Sequence, residues 1–362
     1  MKVAVLGVGL IGGSIGLAAR QRLDAEVAGW GHNPGTVERA AELGAVDRAA
    51  GSVAEACEGA DLVFCAAPVA VLPRLAREAL AASGPEAVVT DAGSTKREIV
   101  AELGEDERFV GGHPLAGAET AGVENARADL FEGARWYLTP TERTGGIHYD
   151  RLQRAVAGLG ARPQAIEPEL HDRTMATISH LPHVLANVLA AQAAAELGGE
   201  SGERLPEVGP SFRDATRVAG SNPAIWADIF SANAGPVAAA IDASVERLRE
   251  AAELIRAGDR EALAAWHAAA ASDRRRLRET DTAEGALREL RVVVANRPGT
   301  VAELALALGD AGVNIEDMAL HPASDMRSGA ITLWVAGAAE VERAAALVRE
   351  LGHSATVLEG EA

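Results

Sequence analysis

The stretch KVAVLGVGLIGGSIGLAAR, Lys2–Arg20, decides the fold. Its first five residues form a short apolar run of the kind that makes a buried strand. Gly7, Gly9 and Gly12 follow as G-x-G-x-x-G, and an amphipathic segment from about Ser14 to Arg22 reads as a helix. Glycines at this spacing are common in any glycine-rich chain. A strand directly before them and a helix directly after them make the pattern specific. Gly7 allows a tight turn, Gly9 lets the backbone approach a pyrophosphate, and Gly12 permits close helix–strand packing. The helix N-terminus then offers unpaired N–H groups and a positive dipole to phosphates. The stretch therefore predicts a dinucleotide site at the head of a Rossmann-type α/β domain.

Further along the chain the same alternation continues. AEVAGW, ADLVFCAAP, EAVVTDAG and RFVGG read as strands, with helices near TVERAAEL and VLPRLAREALAA. ARWYLTP and ARPQAIEP read as later strands around a helix near YDRLQRAVAGL. Strands alternating with helices imply a parallel sheet, in a dinucleotide-binding domain of residues 1–168. The residues assigned to the dinucleotide are Gly7, Gly9, Leu10, Ile11 and Gly12 in the first loop. His32 and Asn33 follow the second strand, and Ala67 and Pro68 follow the third. The acid that holds an adenosine ribose in this fold is missing, because Gly31 stands near its place. No arginine follows immediately to attract a 2′-phosphate. NAD is the expected cofactor, with NADP left open.

Residues 169–285 change character. HDRTMATISHLPHVLANVLAAQAAAEL reads as a long helix, interrupted near Pro182, and at least two more helices follow. Alanine-rich helices that pack closely suit an all-helical domain and a homodimer interface. His180, His183 and Asn187 lie three and seven apart and so share one helical face. The H-x-x-H spacing admits a metal, but no acidic third ligand shares the face, so none is expected and the pair is read as facing substrate. Arg213 and Arg217 are four apart in SFRDATRVAGSNP, either a solvated face or a guanidinium that grips a carboxylate. From about Leu287 the order is strand, helix, strand, strand, helix, with HSATVL as a last strand. This ferredoxin-like pattern is assigned to residues 286–362.

Composition bounds the partners. The chain has 362 residues, 48% of them hydrophobic, and a net charge of −18. That charge argues against nucleic acid and anionic membranes, and requires local arginines wherever an anionic substrate binds. No apolar run reaches the roughly 18 residues that span a membrane, and the N-terminus lacks a basic leader. Two cysteines without metal-type spacing, Cys57 and Cys65, fit a reducing cytoplasm. Lysine occurs only as Lys2 and Lys96, so 32 of the 34 basic residues are arginine. Lys96 is conspicuous for that reason.

One of nine histidines, His113, stands in the punctuated loop GGHPLAGAET, Gly111–Thr120. It reads either as a residue near a turn or as a proton acceptor beside a cofactor. The blocks VLGVGLIGGSIGLAAR, DLVFCAAPV, DAGSTK, GGHPLAGAE, SHLPH and FRDATRVAGSNPAIWADI, in that order, resemble the prephenate dehydrogenase family of tyrosine biosynthesis. NRPGTVAEL and GVNIEDM in the tail resemble an ACT domain, a small amino-acid-sensing module. The resemblance covers nearly the whole chain and departs from NAD-using relatives at Gly31.

The resemblance implies oxidative decarboxylation of prephenate to 4-hydroxyphenylpyruvate, with hydride passing to NAD(P). By it, His113 accepts the ring hydroxyl's proton. Ser94 orients His113 or bonds that hydroxyl, unless it serves as a helix N-cap. Glu119 lines or gates the pocket, unless it is a solvated loop acid. His180 and His183 contact the substrate's side chain, and Arg217 holds a carboxylate. Asn296, Gly299 and Asn314 are assigned to an amino-acid effector, tyrosine before phenylalanine, with a ligand-free dimerisation module as the alternative. Two rival functions stand beside this one: an arogenate dehydrogenase, and a non-catalytic nucleotide and amino-acid sensor.

Overall fold

The structure is a computed structural model. It describes all residues except 118–119, 198–206, 280–286, 296, 298, 316, 323–327 and 359–362. The chain divides into two compact units, Met1–Arg247 and Leu248–Ala362, and the division falls within a helix.

The first unit opens with β1 (Lys2–Leu6), α1 (Leu10–Leu23), β2 (Glu26–Trp30), α2 (Pro34–Glu42), β3 (Arg48–Ala49) and α3 (Val53–Cys57). β4 (Leu62–Cys65), α4 (Leu72–Ala82), β5 (Val88–Asp91), α5 (Arg97–Leu103) and β6 (Phe109–Pro114) follow. β7 (Arg135–Thr139), α6 (Gly146–Gly158) and β8 (Arg162–Ala165) complete an eight-stranded sheet, ordered β3-β2-β1-β4-β5-β6-β7-β8. The chain reverses its direction across the sheet between β1 and β4, which is where ligands sit in open α/β folds.

The strands are apolar on both faces, as helices on both sides require. Val3, Val5, Leu62, Phe64 and Val88 enter one core, while Ala4, Leu6, Val63, Cys65 and Val89 enter the other. The alternation within each strand is the two-residue period of the pleat.

The sheet is not wholly parallel. β7 runs antiparallel to β6, pairing His113 with Tyr137 and Gly112 with Leu138. A parallel return needs a crossover, usually a helix. The described residues between β6 and β7 hold only a short 3-10 turn, Val123–Asn125, so the chain folds straight back. α1 also begins at Leu10 rather than near Ser14, because Gly9 occupies its N-cap and the glycines hide the first turn from a pattern reading.

The helical part begins with α7 (Pro168–Met175), a π-helical turn at Ala176–His180, and α8 (Leu181–Leu197). The helix is thus re-phased just before Pro182, where the interruption was expected. A proline cannot donate its own helical bond and its ring clashes with the carbonyl four residues back. The π turn, closed by Leu181 N–H to Ala176 O, accommodates it. α9 (Pro210–Thr216), α10 (Pro223–Ala232), α11 (Ala234–Ala257) and α12 (Arg260–Glu279) follow, and the unit boundary lies in α11.

Within the second unit lie β9 (Leu287–Ala295), α13 (Thr300–Asp310), β10 (Asp317–Pro322), β11 (Ser328–Ala336), α14 (Ala338–Glu350) and β12 (Ser354–Leu358). The strands make an antiparallel sheet ordered β10-β11-β9-β12. Leu290, Val292, Leu304, Leu308, Leu333 and Val348 form its core.

Candidate active site

The glycine loop after β1 is built by close approach. Gly7 has φ +102°, and a Cβ there would lie 2.2 Å from the carbonyl oxygen of Ala66. A Cβ on Gly12 would lie 1.8 Å from the carbonyl oxygen of Gly7. A Cβ on Gly9 would meet nothing within 4 Å. Packing therefore requires the outer glycines, while Gly9 faces open space at the N-terminus of α1. Leu10 and Ile11 begin that helix, and Ala67 and Pro68 leave β4 directly beside Gly7. This cradle fits a pyrophosphate. After β2, Asn33 caps α2 by accepting the Gly35 N–H at 3.0 Å, and His32 is exposed. A Cβ at Gly31 would approach Val37 to 3.2 Å, so a side chain there would press on α2.

The strand ends to the other side of β4 carry the polar centre. His113 sits near the end of β6 with Nδ1 2.9 Å from His171 Nε2. His171 Nδ1 lies 2.8 Å from Asp172 Oδ1. Asp172 also accepts the Lys96 N–H at 2.7 Å and the Arg97 N–H at 2.9 Å. Burial opposes its charge, but the bonds from His171 and from these two amides hold the carboxyl below the usual carboxylate range. Burial pushes His113 well below 6.5, and His171, Lys96 and His180 add to the effect. Burial also lowers His171, with Asp172 opposing. Both imidazoles are therefore neutral near pH 7, as a proton acceptor requires.

Behind them is a fully buried ion pair, Lys96 Nζ with Asp91 Oδ2. Asp91 also accepts the Gly93 N–H at 2.8 Å and the Gly112 N–H at 3.1 Å. One carboxylate thus ties the loop after β5 to the residue before His113. Ser94, on that loop, is partly buried. It does not cap α5, whose N-cap position is Lys96, and the place of orienting partner to His113 Nδ1 is taken by His171.

His113 forms one wall of a cavity of about 620 Å³. Met175, Ile178, Ser179, His183, Arg217, Ser221 and Trp226 line the rest of it together with the loop after β6. His183 stacks on Trp226, with ring centroids 3.4 Å apart, and its Nδ1 donates to the Ser179 carbonyl at 3.2 Å. Arg217 opens the short 3-10 turn after α9 and reaches the same cavity, whereas Arg213 does not line it. His180 and His183 both meet the Trp226 ring, with centroids 5.9 and 3.4 Å from it, so they share a helical face at different depths. His180 is buried, 3.1 Å from the Asn233 side-chain amide, and does not line the cavity. The π turn ends at His180, so the step from His180 to His183 runs into α8 and keeps its helical meaning. Glu119 lies outside the described residues.

Residues 15–164 match the family described as prephenate dehydrogenase, nucleotide-binding domain. Residues 167–269 match prephenate dehydrogenase, dimerization domain. The chain belongs to the prephenate dehydrogenase family. Prephenate dehydrogenase of Bacillus subtilis (strain 168) is 32% identical over 329 residues, 87% of either chain. The crystal structure of prephenate dehydrogenase from A. aeolicus in complex with hydroxyphenyl propionate and NAD+ is 32% identical, with a TM-score of 0.71. It covers 75% of this chain and 97% of its own. Synechocystis arogenate dehydrogenase is 28% identical, with a TM-score of 0.66 over 76% of this chain and all of its own.

In this prephenate dehydrogenase relative, four site residues escaped the sequence reading: His171, Asp172, Trp226 and Asn233. HDR reads only as the beginning of a long helix, with no role given to its side chains. One signal was available. His171 is four residues before Met175, so a helix that buries Met175 buries His171 beside it.

Proposed function

We propose that this chain oxidises prephenate to 4-hydroxyphenylpyruvate, with loss of carbon dioxide and with NAD as hydride acceptor. The observation that carries the reading is the cavity wall: a neutral histidine with one ring nitrogen already engaged, and an arginine in the same cavity. NAD, when bound, takes a hydride from the hydroxyl-bearing ring carbon. His113 accepts the hydroxyl proton as that happens. The ketone so formed is an electron sink for the ring carboxylate, and loss of carbon dioxide yields an aromatic ring. Aromatisation is strongly favourable, so the protein's task is proton acceptance, alignment and the holding of a carboxylate. Arg217 supplies the cation for that carboxylate. Met175, Ile178 and Trp226 exclude water, and His183 is the second histidine available to the substrate.

The relatives support this reading, since they include a prephenate dehydrogenase crystallised with NAD+ and a hydroxyphenyl ligand. The arogenate dehydrogenase relative supports a second, in which the side chain carries an amine. Reduced-cofactor absorbance with prephenate and then arogenate, each with NAD and NADP, separates the two and fixes the cofactor. Absence of turnover with either substrate would remove both.

The same reading extends to the whole chain, divided at 168 and 285 and working in a reducing cytoplasm. Leu185, Val188 and Leu189 on α8 are exposed apolar side chains, which supports a homodimer through the helical part. The strand order of the tail supports a ferredoxin-like ACT module, with tyrosine as its effector. Gly299, at φ +91°, precedes α13 with nothing near its Cβ position, and Asn314 is exposed after Gly312. Asn296, the third residue assigned to the effector, lies outside the described residues. Tyrosine inhibition that disappears in a chain ending near residue 284 supports this reading; no effect on either chain overturns it.

A further inference from the structure

We propose that His171 and Asp172 are positioning residues, which keep the proton of His113 on Nδ1 and leave Nε2 as its basic nitrogen. The inference rests on the proposed function only for its kinetic readout. The geometry stands without it.

Asp172 sets the direction of every proton in the chain of contacts. Its carboxylate takes two backbone N–H groups, those of Lys96 and Arg97, and an ionised carboxylate only accepts. The contact at 2.8 Å with His171 Nδ1 therefore places a proton on that nitrogen. A neutral His171 then has a bare Nε2, and that atom lies 2.9 Å from His113 Nδ1. Two bare nitrogens cannot hold that distance, so His113 Nδ1 carries the proton and donates. The lone pair of His113 is left on Nε2, the nitrogen free to serve the cavity.

The opposite arrangement would need a charged His171, donating from both nitrogens. His113 would then accept at Nδ1 and carry its proton on Nε2, where it could no longer act as a base. Complete burial of His171, with the Lys96 charge nearby, disfavours that cation. The relay is also held in place mechanically. The Tyr137 and His171 rings meet at 87° with centroids 5.6 Å apart, and Tyr137 pairs with His113 across the sheet. Asp172 is anchored at the start of α5 rather than on its own helix. His171 therefore supplies the orienting contact to His113 that the resemblance gave as one of two roles for Ser94.

The test uses the full chain labelled with 15N in its histidine rings. His113 is assigned by comparison with His113→Asn. Nitrogen–proton correlation in the unaltered protein should show the Nδ1–H tautomer at both His113 and His171; the Nε2–H tautomer at His113 would overturn the proposal without any further variant. His171→Gln keeps a side-chain oxygen able to accept from Nδ1–H, and His171→Leu removes the acceptor. The leucine variant should lose roughly tenfold to a hundredfold in kcat, a part of the 10²–10⁴ that general-base catalysis supplies. Substrate KM and dinucleotide affinity should stay within about twofold, and glutamine should restore most of kcat. Wild-type kcat in the leucine variant refutes the relay. Equal impairment of both variants, with the His113 tautomer unchanged, shows a structural role only and refutes it as well. A protein that turns over neither substrate disproves the function reading, and the tautomer still decides the relay.

Discussion

Replacing Lys96 tests the foundation of the site. Lys96 and Asp91 are both fully buried, and they pair with each other. Burial pushes the lysine down from its ordinary range and Asp91 opposes that shift, so the ammonium persists because the carboxylate is there. Lys96→Met leaves Asp91 with the Gly93 and Gly112 amides as donors but without a counter-charge. Removing one member of a buried pair costs about 3–5 kcal/mol, and the two remaining amides place this case towards the lower end. For a unit the size of Met1–Arg247, each kcal/mol shifts the melting midpoint by about 2–4 °C, so a fall of roughly 6–12 °C is expected from about 3 kcal/mol. Asp91→Asn combined with Lys96→Met removes both charges and should recover a large part of the loss.

Lys96→Arg is the more discriminating change. A Cβ at Gly111 would lie 3.3 Å from the lysine Cδ, and one at Gly93 would lie 3.7 Å from its Nζ. The lysine is thus closely walled by these two residues, and a planar guanidinium is wider than an ammonium. Arginine should destabilise about as much as methionine although it keeps the charge. That accounts for a lysine in a chain that otherwise uses arginine almost everywhere. Circular-dichroism melts at pH 7.5 measure all four proteins. A wild-type midpoint for Lys96→Arg, or a loss under about 1 kcal/mol for Lys96→Met, would refute the reasoning.

Other expectations follow from the same geometry. Gly9→Ala should fold normally yet bind NADH at least tenfold more weakly, because the space it enters belongs to the cofactor; Gly12→Ala should lose both binding and stability. Fluorescence titration and melting distinguish them. Arg217→Ala should raise substrate KM by roughly tenfold or more, from about 1.5–3 kcal/mol of charge-assisted contact, with NAD affinity unchanged in the same steady-state assay. Stability should fall with acid: burial lowers His180 from 6.5 to about 4, so the unfolded chain takes up that proton first as pH drops. The contribution of His180 is whole above pH 6.5 and declines from there to pH 4, by about 3 kcal/mol in all. His180→Asn should flatten melting midpoints over that window.

The fold was legible because its signals are local. β1, the glycine loop and the strand after each helix announce themselves within a few residues, and six blocks in order identify the family. Failures came where a local pattern has two physical outcomes. The apolar run Arg135–Thr139 reads as a strand in either direction, and only the missing crossover helix makes it antiparallel. His180 and His183 share a helical face and both meet Trp226, yet only His183 lines the cavity, while His180 lies buried against Asn233. Local pattern fixes what an element is, while its direction and the depth of its side chains depend on the chain around it.

The relay was illegible for a different reason. His113 and His171 are 58 residues apart, and Asp172 finds its amide donors 75 and 76 residues back. What joins them is the start of α5. The Lys96 backbone amide holds Asp172, and the Lys96 side chain holds Asp91, whose other oxygen takes the Gly112 amide beside His113. One residue thus aligns the base from the β6 side and its orienting histidine from the α7 side. Each member would read as ordinary alone: a lysine before a helix, an acid ending a strand, a histidine on a helical turn. The chemistry falls to His113 because the charges around it are already spent on one another, leaving a neutral ring with one nitrogen engaged and the other free for the cavity.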